Sequence, residues 1–212
     1  MGGSTSWSKL GEARGRNNMR KVILSMMMTL DGFAAGPNGE MDWLPPFNDD
    51  ALWRDIHKQM WANLNSVDTL LLGRVTYQIW EKYWPAAASN PASTKNDLKF
   101  SRYAEETQKI VFSRTLENVA WKNTRLVNDN IAEEIAKLKK QPGKNLALAG
   151  GPRIAQTFMG LGLIDDYQFV VNPVILGRGK PLFKGSENGI KMKLVGARTL
   201  KPEVVLLHYT PL

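Results

Sequence analysis

Through residue 165, short apolar runs alternate with stretches of helical spacing, and beyond it only strand-like runs follow. That order constrains the fold more than any other feature of the chain. RKVILSMMMTL (20–30), VDTLLLGR (67–74), KIVFSRTL (109–116), a poorer run near 119–127 and NLALAGG (145–151) each read as a strand closed by polar or glycine residues. Between them, residues 49–64 carry Leu52, Ile56, Met60 and Leu64 at spacing four, the stripe of an amphipathic helix with Asn48 or Asp49 as its cap. VTYQIWEKYW (75–84) is helical and Pro85 is its expected stop. Residues 86–97 read as a surface loop and FSRYAEETQ as a helical turn or two. IAEEIAKLKK (131–140) is a helix ended by Pro142-Gly143. DYQFVVNPVILG (166–177) is a long strand, and KMKLVGARTL with EVVLLHYTPL forms a closing hairpin. The alternation predicts an α/β domain over 20–212: a central mixed, mostly parallel sheet flanked by helices, with an antiparallel C-terminal hairpin.

Composition removes several classes of function. No apolar run approaches the roughly 18 residues of a membrane span, so no membrane partner is expected. There is no cysteine and there are only two histidines, His57 and His208, which excludes disulfides and thiolate chemistry and leaves no metal-binding spacing. Without a need for an oxidising compartment, the cytoplasm is expected. The net charge of +8 is scattered rather than clustered. It suits attraction of anionic small molecules and not a nucleic-acid partner. The first 19 residues are polar, glycine-rich and basic, without the apolar centre of a secretory signal; they read as a disordered extension ahead of a domain that could start at Met19.

Ligands of open α/β sheets sit beyond the carboxyl ends of the strands. Three tips there stand out. LLLGRVT leaves Gly73, Arg74 and Thr76, VFSRT leaves Ser113 and Arg114, and LALAGG leaves Gly150 and Gly151 ahead of a helix that starts at Pro152-Arg153. A helix N-terminus offers unpaired amides and a positive dipole end, glycine lets an anion approach, and proline fits the first turn. With guanidinium forks from neighbouring tips, these residues suit a phosphate or pyrophosphate. The alternative for the glycine pair is a tight turn for helix–sheet packing, and for each arginine a surface ion pair. Neither GxGxxG after the first strand nor GxxxxGK[ST] occurs, so any nucleotide is held in another way.

MMMTLDGFAAG, LLLGRVTYQIW, KIVFSRTL, LALAGGPRIAQTFMGLGLIDDYQF and NPVILGRGKPLF, in this order, resemble the dihydrofolate reductase-like superfamily. The closer likeness is to the C-terminal reductase domain of the bifunctional riboflavin-biosynthesis deaminase/reductase and its stand-alone bacterial relatives. The resemblance implies a sheet of about eight strands and an oxidoreductase that uses NADPH on a small-molecule substrate, a dihydrofolate-like compound or a riboflavin-pathway aminopyrimidine. It implies cofactor binding by Gly150, Gly151, Pro152, Arg153, Gly73, Arg74, Thr76, Ser113 and Arg114, with Met27 and Ala34 facing the nicotinamide. It further implies a proton-delivering carboxylate at the start of the first helix. Asp50, with Asp49 beside it, is the match, and helix capping is the other reading of both. Trp43, Trp53 and Trp80 are candidates for stacking on substrate, or else core aromatics. A homodimer through the late strands is also implied. Two other readings of the same residues are an NADPH-binding module without turnover and a basic nucleic-acid-associated protein whose site is unused.

Overall fold

The computed structural model describes residues 19–44, 50–184, 189–200 and 203–212, with no account of the side chains of residues 50–53. The described residues form ten strands and five helices: β1 Val22–Thr29, β2 Phe33–Ala35, α1 Asp50–Leu64, β3 Val67–Gly73, α2 Arg74–Ala87, α3 Lys95–Glu106, β4 Gln108–Phe112, β5 Thr124–Val127, α4 Ile131–Lys140, β6 Asn145–Leu148, α5 Pro152–Gly160, β7 Asp166–Asn172, β8 Lys180–Pro181, β9 Met192–Leu200 and β10 Val204–Pro211. The main sheet has eight strands in the order β5-β4-β3-β6-β1-β7-β10-β9, and β2 pairs with β8 in a separate ribbon. Pairing is parallel from β5 to β7. It turns antiparallel at β10 and β9, as expected of the closing hairpin. Among the described residues, no helix is long and apolar enough to cross a membrane.

Both faces of the sheet are covered, which is why the central strands are apolar almost throughout instead of alternating. Leu24, Leu71, Ile110 and Leu146 pack under α4 and α5 against Ile135, Leu138, Ala155 and Phe158. On the opposite face Leu70, Leu72 and Val111 meet Tyr77 of α2 and Phe100 and Ala104 of α3. Further along that face, Ile56 of α1 packs with Val170, Val204 and Leu206.

Several element ends differ from the sequence reading, each for a local reason. Helix α2 runs on to Ala87 with Pro85 inside it. Its final carbonyls are capped from outside: Ser101 Oγ donates to Trp84 O (2.6 Å) and Ser93 Oγ to Ala87 O (2.8 Å). The supposed loop 86–97 ends early because Thr94 and Asp97 form a reciprocal capping box that starts α3 at Lys95. Strand β7 stops at Asn172 rather than 177, since Pro173 has no N–H to extend a ladder. Strands β4 and β5 are likewise shorter, 108–112 and 124–127. The β2/β8 ribbon had no signal in the sequence reading.

The buried polar groups at the amino ends of the strands are architectural. Lys109 is fully buried, with Nζ donating to Ala104 O (2.5 Å) and Thr107 O (2.8 Å) beyond the end of α3; burial pushes its pKa down to about 8. Asp166 accepts from Lys21 Nζ (3.0 Å) and pairs with His208 Nε2 (2.5 Å). Burial alone would raise its carboxyl pKa. The His208 and Lys21 hydrogen bonds overcome this and hold it below the ordinary 3.8. Because the folded value lies below the unfolded one, the stabilisation is complete above about pH 4 and is lost as the pH falls through the folded value. Urea unfolding at pH 5 and pH 3 should therefore show a smaller acid loss for Asp166→Asn than for the unaltered chain; equal losses would remove the carboxylate from the acid response.

Candidate functional site

The strand order places β6 between β3 and β1, so the chain goes out through β3, β4 and β5 and returns inside them. In open α/β sheets the ligand crevice lies where the order reverses, at the carboxyl edge of the sheet. The tips that meet there belong to β4 (Ser113, Arg114), β3 (Gly73, Arg74), β6 (Gly150, Gly151), β1 (Thr29, Asp31) and β7 (Asn172). Gly73 stands opposite Phe112, and Leu71 opposite Leu148. All three phosphate-binding segments expected from the sequence thus lie on adjacent strands.

Two helices begin side by side at this edge. Helix α2 has Gly73 as its N-cap and α5 has Gly151, both without a side-chain cap hydrogen bond and without an acidic residue in the first turn. By contrast α3 has its capping box with Asp97, and α4 carries Glu133 and Glu134 in its first turn. The position a Cβ would take on Gly150 is 3.6 Å from Gly73 N and 3.8 Å from Thr76 Oγ1, so the two N-termini are in contact. Two uncompensated positive dipole ends with free first-turn amides make this edge selective for anions. Arg74, Arg114 and Arg153 are all exposed around it. Arg74 Nη1 donates to Gln78 Oε1 (3.1 Å), and among the described residues it forms no ion pair.

The glycines divide the work. A Cβ on Gly150 would lie 2.5 Å from Ile154 Cγ2, and one on Gly73 would lie 3.2 Å from Ile154 Cβ. Gly150 thus lets α5 pack against the strand tips, the tight-turn alternative for the glycine pair, and Gly73 is nearly as confined. Gly151 is exposed and its Cβ direction is open, with nothing within 4 Å. Ser113 also has a structural duty: its Oγ accepts from Thr115 N (3.2 Å) and Leu116 N (3.0 Å), closing the turn after β4.

Across the crevice, Asp31 fastens two loops. Its carboxylate accepts from Thr29 Oγ1 (2.7 Å), Leu176 N (3.2 Å) and Gly177 N (2.7 Å), tying the end of β1 to the segment after β7. The Thr29 hydroxyl and then these amides hold its pKa below the usual carboxylate value. Nothing in the sequence reading singled it out, although an Asp-Gly turn facing an exposed Leu-Gly segment was the available signal.

The remaining expected residues are dispersed. Met27 packs on the α1 face with Ile56 and Val170, and Ala34 is buried in the opposite cluster. Trp80 is edge-on to Phe100 (5.4 Å) and Trp84 (6.2 Å), inside the aromatic core of α2 and α3. These contacts match the core-aromatic reading of its helical spacing. Trp43 is half-buried, with Nε1 buried and unpartnered. Asp50 is the first residue of α1. Asp49 and the side chains of Asp50 and Trp53 lie outside the described residues.

The family model described as the RibD C-terminal domain matches residues 20–206. Over 195 residues the chain is 39% identical to the uncharacterized protein YyaP of Bacillus subtilis strain 168, an overlap of 91% of this chain and 97% of that one. A candidate riboflavin biosynthesis protein from Shewanella sp. PV-4 superposes with a TM-score of 0.68 at 23% identity, over 91% of this chain and 99% of that structure. Dihydrofolate reductase from Enterococcus faecalis, solved with NADP(H) and RAB-propyl, superposes with a TM-score of 0.55 at 13% identity, over 90% and 96%. The fold is dihydrofolate reductase-like.

Proposed function

This chain belongs to the RibD C-terminal domain family, and from that premise we propose that it is an NADPH-dependent oxidoreductase that reduces a small heterocyclic or carbonyl substrate. The observation that carries the reading is the pair of touching helix N-termini, capped only by Gly73 and Gly151 and free of acidic compensation. In this reading the first-turn amides of α2 and α5 hold the pyrophosphate. Thr76 stands between the two turns, and Gly151 allows close approach. Arg74 and Arg114, from adjoining tips, take the 2′-phosphate, and Arg153 adds charge at the rim.

NADPH, when bound, supplies the hydride. The chain's own share is positioning, exclusion of water and delivery of a proton. We assign proton delivery to Asp50 at the head of α1, with Asp49 as its neighbour. Asp50→Asn is expected to bind NADPH normally while turnover falls on the order of 10²-fold or more, the range for a lost general acid; unchanged turnover removes Asp50 from the mechanism. The reading as a whole is tested by fluorescence titration with NADPH and NADH, followed by a screen of dihydrofolate and the riboflavin-pathway aminopyrimidine for cofactor oxidation. Absence of NADPH binding ends it.

A further inference from the structure

We infer that the side-chain oxygen of Asn172 determines which substrates this site accepts, by taking a hydrogen bond from a ring N–H of the heterocycle. The inference rests on the reductase reading above and adds the substrate-facing residue. Asn172 is the last residue of β7 and stands opposite Thr29 of β1, so it sits at the carboxyl edge, two strands beyond the β6 tip. It is 1% exposed. Its Nδ2 donates to Met28 O (3.3 Å) and Val170 O (3.2 Å), which fixes the amide's orientation, because exchanging the two ends would set oxygen against two carbonyl oxygens. Oδ1 is therefore the end left over, and it is buried with no partner.

A buried acceptor without a donor is destabilising and uncommon in a folded protein. The surrounding core does not call for it. Val170, two residues earlier on the same face, belongs to an apolar cluster with Ile56, Leu200, Val204 and Leu206, against which Met27 and Leu44 pack. A leucine would fill such a wall without leaving a polar atom unpaired. Another orphan is borne by the residue before Leu44: the indole Nε1 of Trp43 is buried and unpartnered.

The test compares lumazine, which presents ring N–H groups, with 1,3-dimethyllumazine, in which the two pyrimidine-ring N–H groups are methylated. Each is titrated calorimetrically into the protein saturated with NADP+. The unaltered chain should bind lumazine at least tenfold more tightly than the dimethyl compound. Asn172→Leu should bring the two affinities within about twofold of each other, with NADP+ affinity unchanged, and Asn172→Ala serves the same purpose if the leucine does not fit. Discrimination that survives in the variants overturns the inference, as does equal or absent binding of the two compounds by the unaltered chain. In each of those cases NADP+ still binds and the reductase reading stands. Failure to bind NADP+ at all overturns that reading and this inference with it.

Discussion

Gly151→Val should weaken NADPH at least tenfold while leaving the fold nearly as stable as before. The backbone there is extended, φ −74° and ψ 177°, a conformation open to any residue, and the added side chain would point into open space. Replacing a glycine N-cap by an apolar residue costs under about 1 kcal/mol, so the thermal midpoint should move by only a few degrees. Gly150→Val should behave in the opposite way. Its Cβ would enter the space of Ile154 Cγ2 at 2.5 Å, forcing α5 off the strand tips. Overpacking of that kind costs about 1–3 kcal/mol, and cofactor binding would suffer as a result of lost packing. Melting curves and NADPH titrations on the two variants separate a residue that faces the ligand from one that builds the wall. If Gly151→Val binds NADPH unchanged, the pyrophosphate is not held at the head of α5.

Removing Arg74 and Arg114 together should weaken NADPH about 10–100-fold and NADH less than threefold. A charge-assisted hydrogen bond to a phosphate is worth about 1.5–3 kcal/mol, and only NADPH carries the 2′-phosphate. Both side chains are exposed, and the one hydrogen bond of the Arg74 guanidinium is to Gln78, so the double variant should melt close to the unaltered chain. The preference for NADPH should also decline with added salt, as expected of solvent-accessible charges. Equal losses for the two cofactors would place the 2′-phosphate elsewhere.

The parts of the site that were legible in the sequence are those encoded over a few residues. A strand that runs into Gly73-Arg74 and then into helical spacing, or into Gly150-Gly151-Pro152, declares a strand-to-helix turn with open amides. What those few residues could not declare is which glycine packs against a neighbour and which stays open. Ile154 decides that by leaning over Gly150 and Gly73, an effect of side-chain volume across two loops. Trp80 was equally ambiguous, since helical spacing is the same whether an aromatic faces the core or a cleft; the edge-on contacts with Phe100 and Trp84 decide it. Ser113 looks like a phosphate donor in a strand-end motif, and only its two backbone partners show that its oxygen is engaged.

Alternation of strands and helices up to 165 and the closing hairpin follow from hydrophobic period and turn chemistry, which are local, and so the sequence by itself determined the fold class. Neighbour relations are not local. That 145–148 inserts between 22–29 and 67–73, bringing two glycine-capped helices into contact, was decided by the tertiary structure. The same is true of the latch from Asp31 to Gly177 and of the orphan oxygen on Asn172. Periodicity tells each strand which faces to bury, but the choice of partner depends on how all the buried faces fit at once, and that fit exists only in the packed molecule.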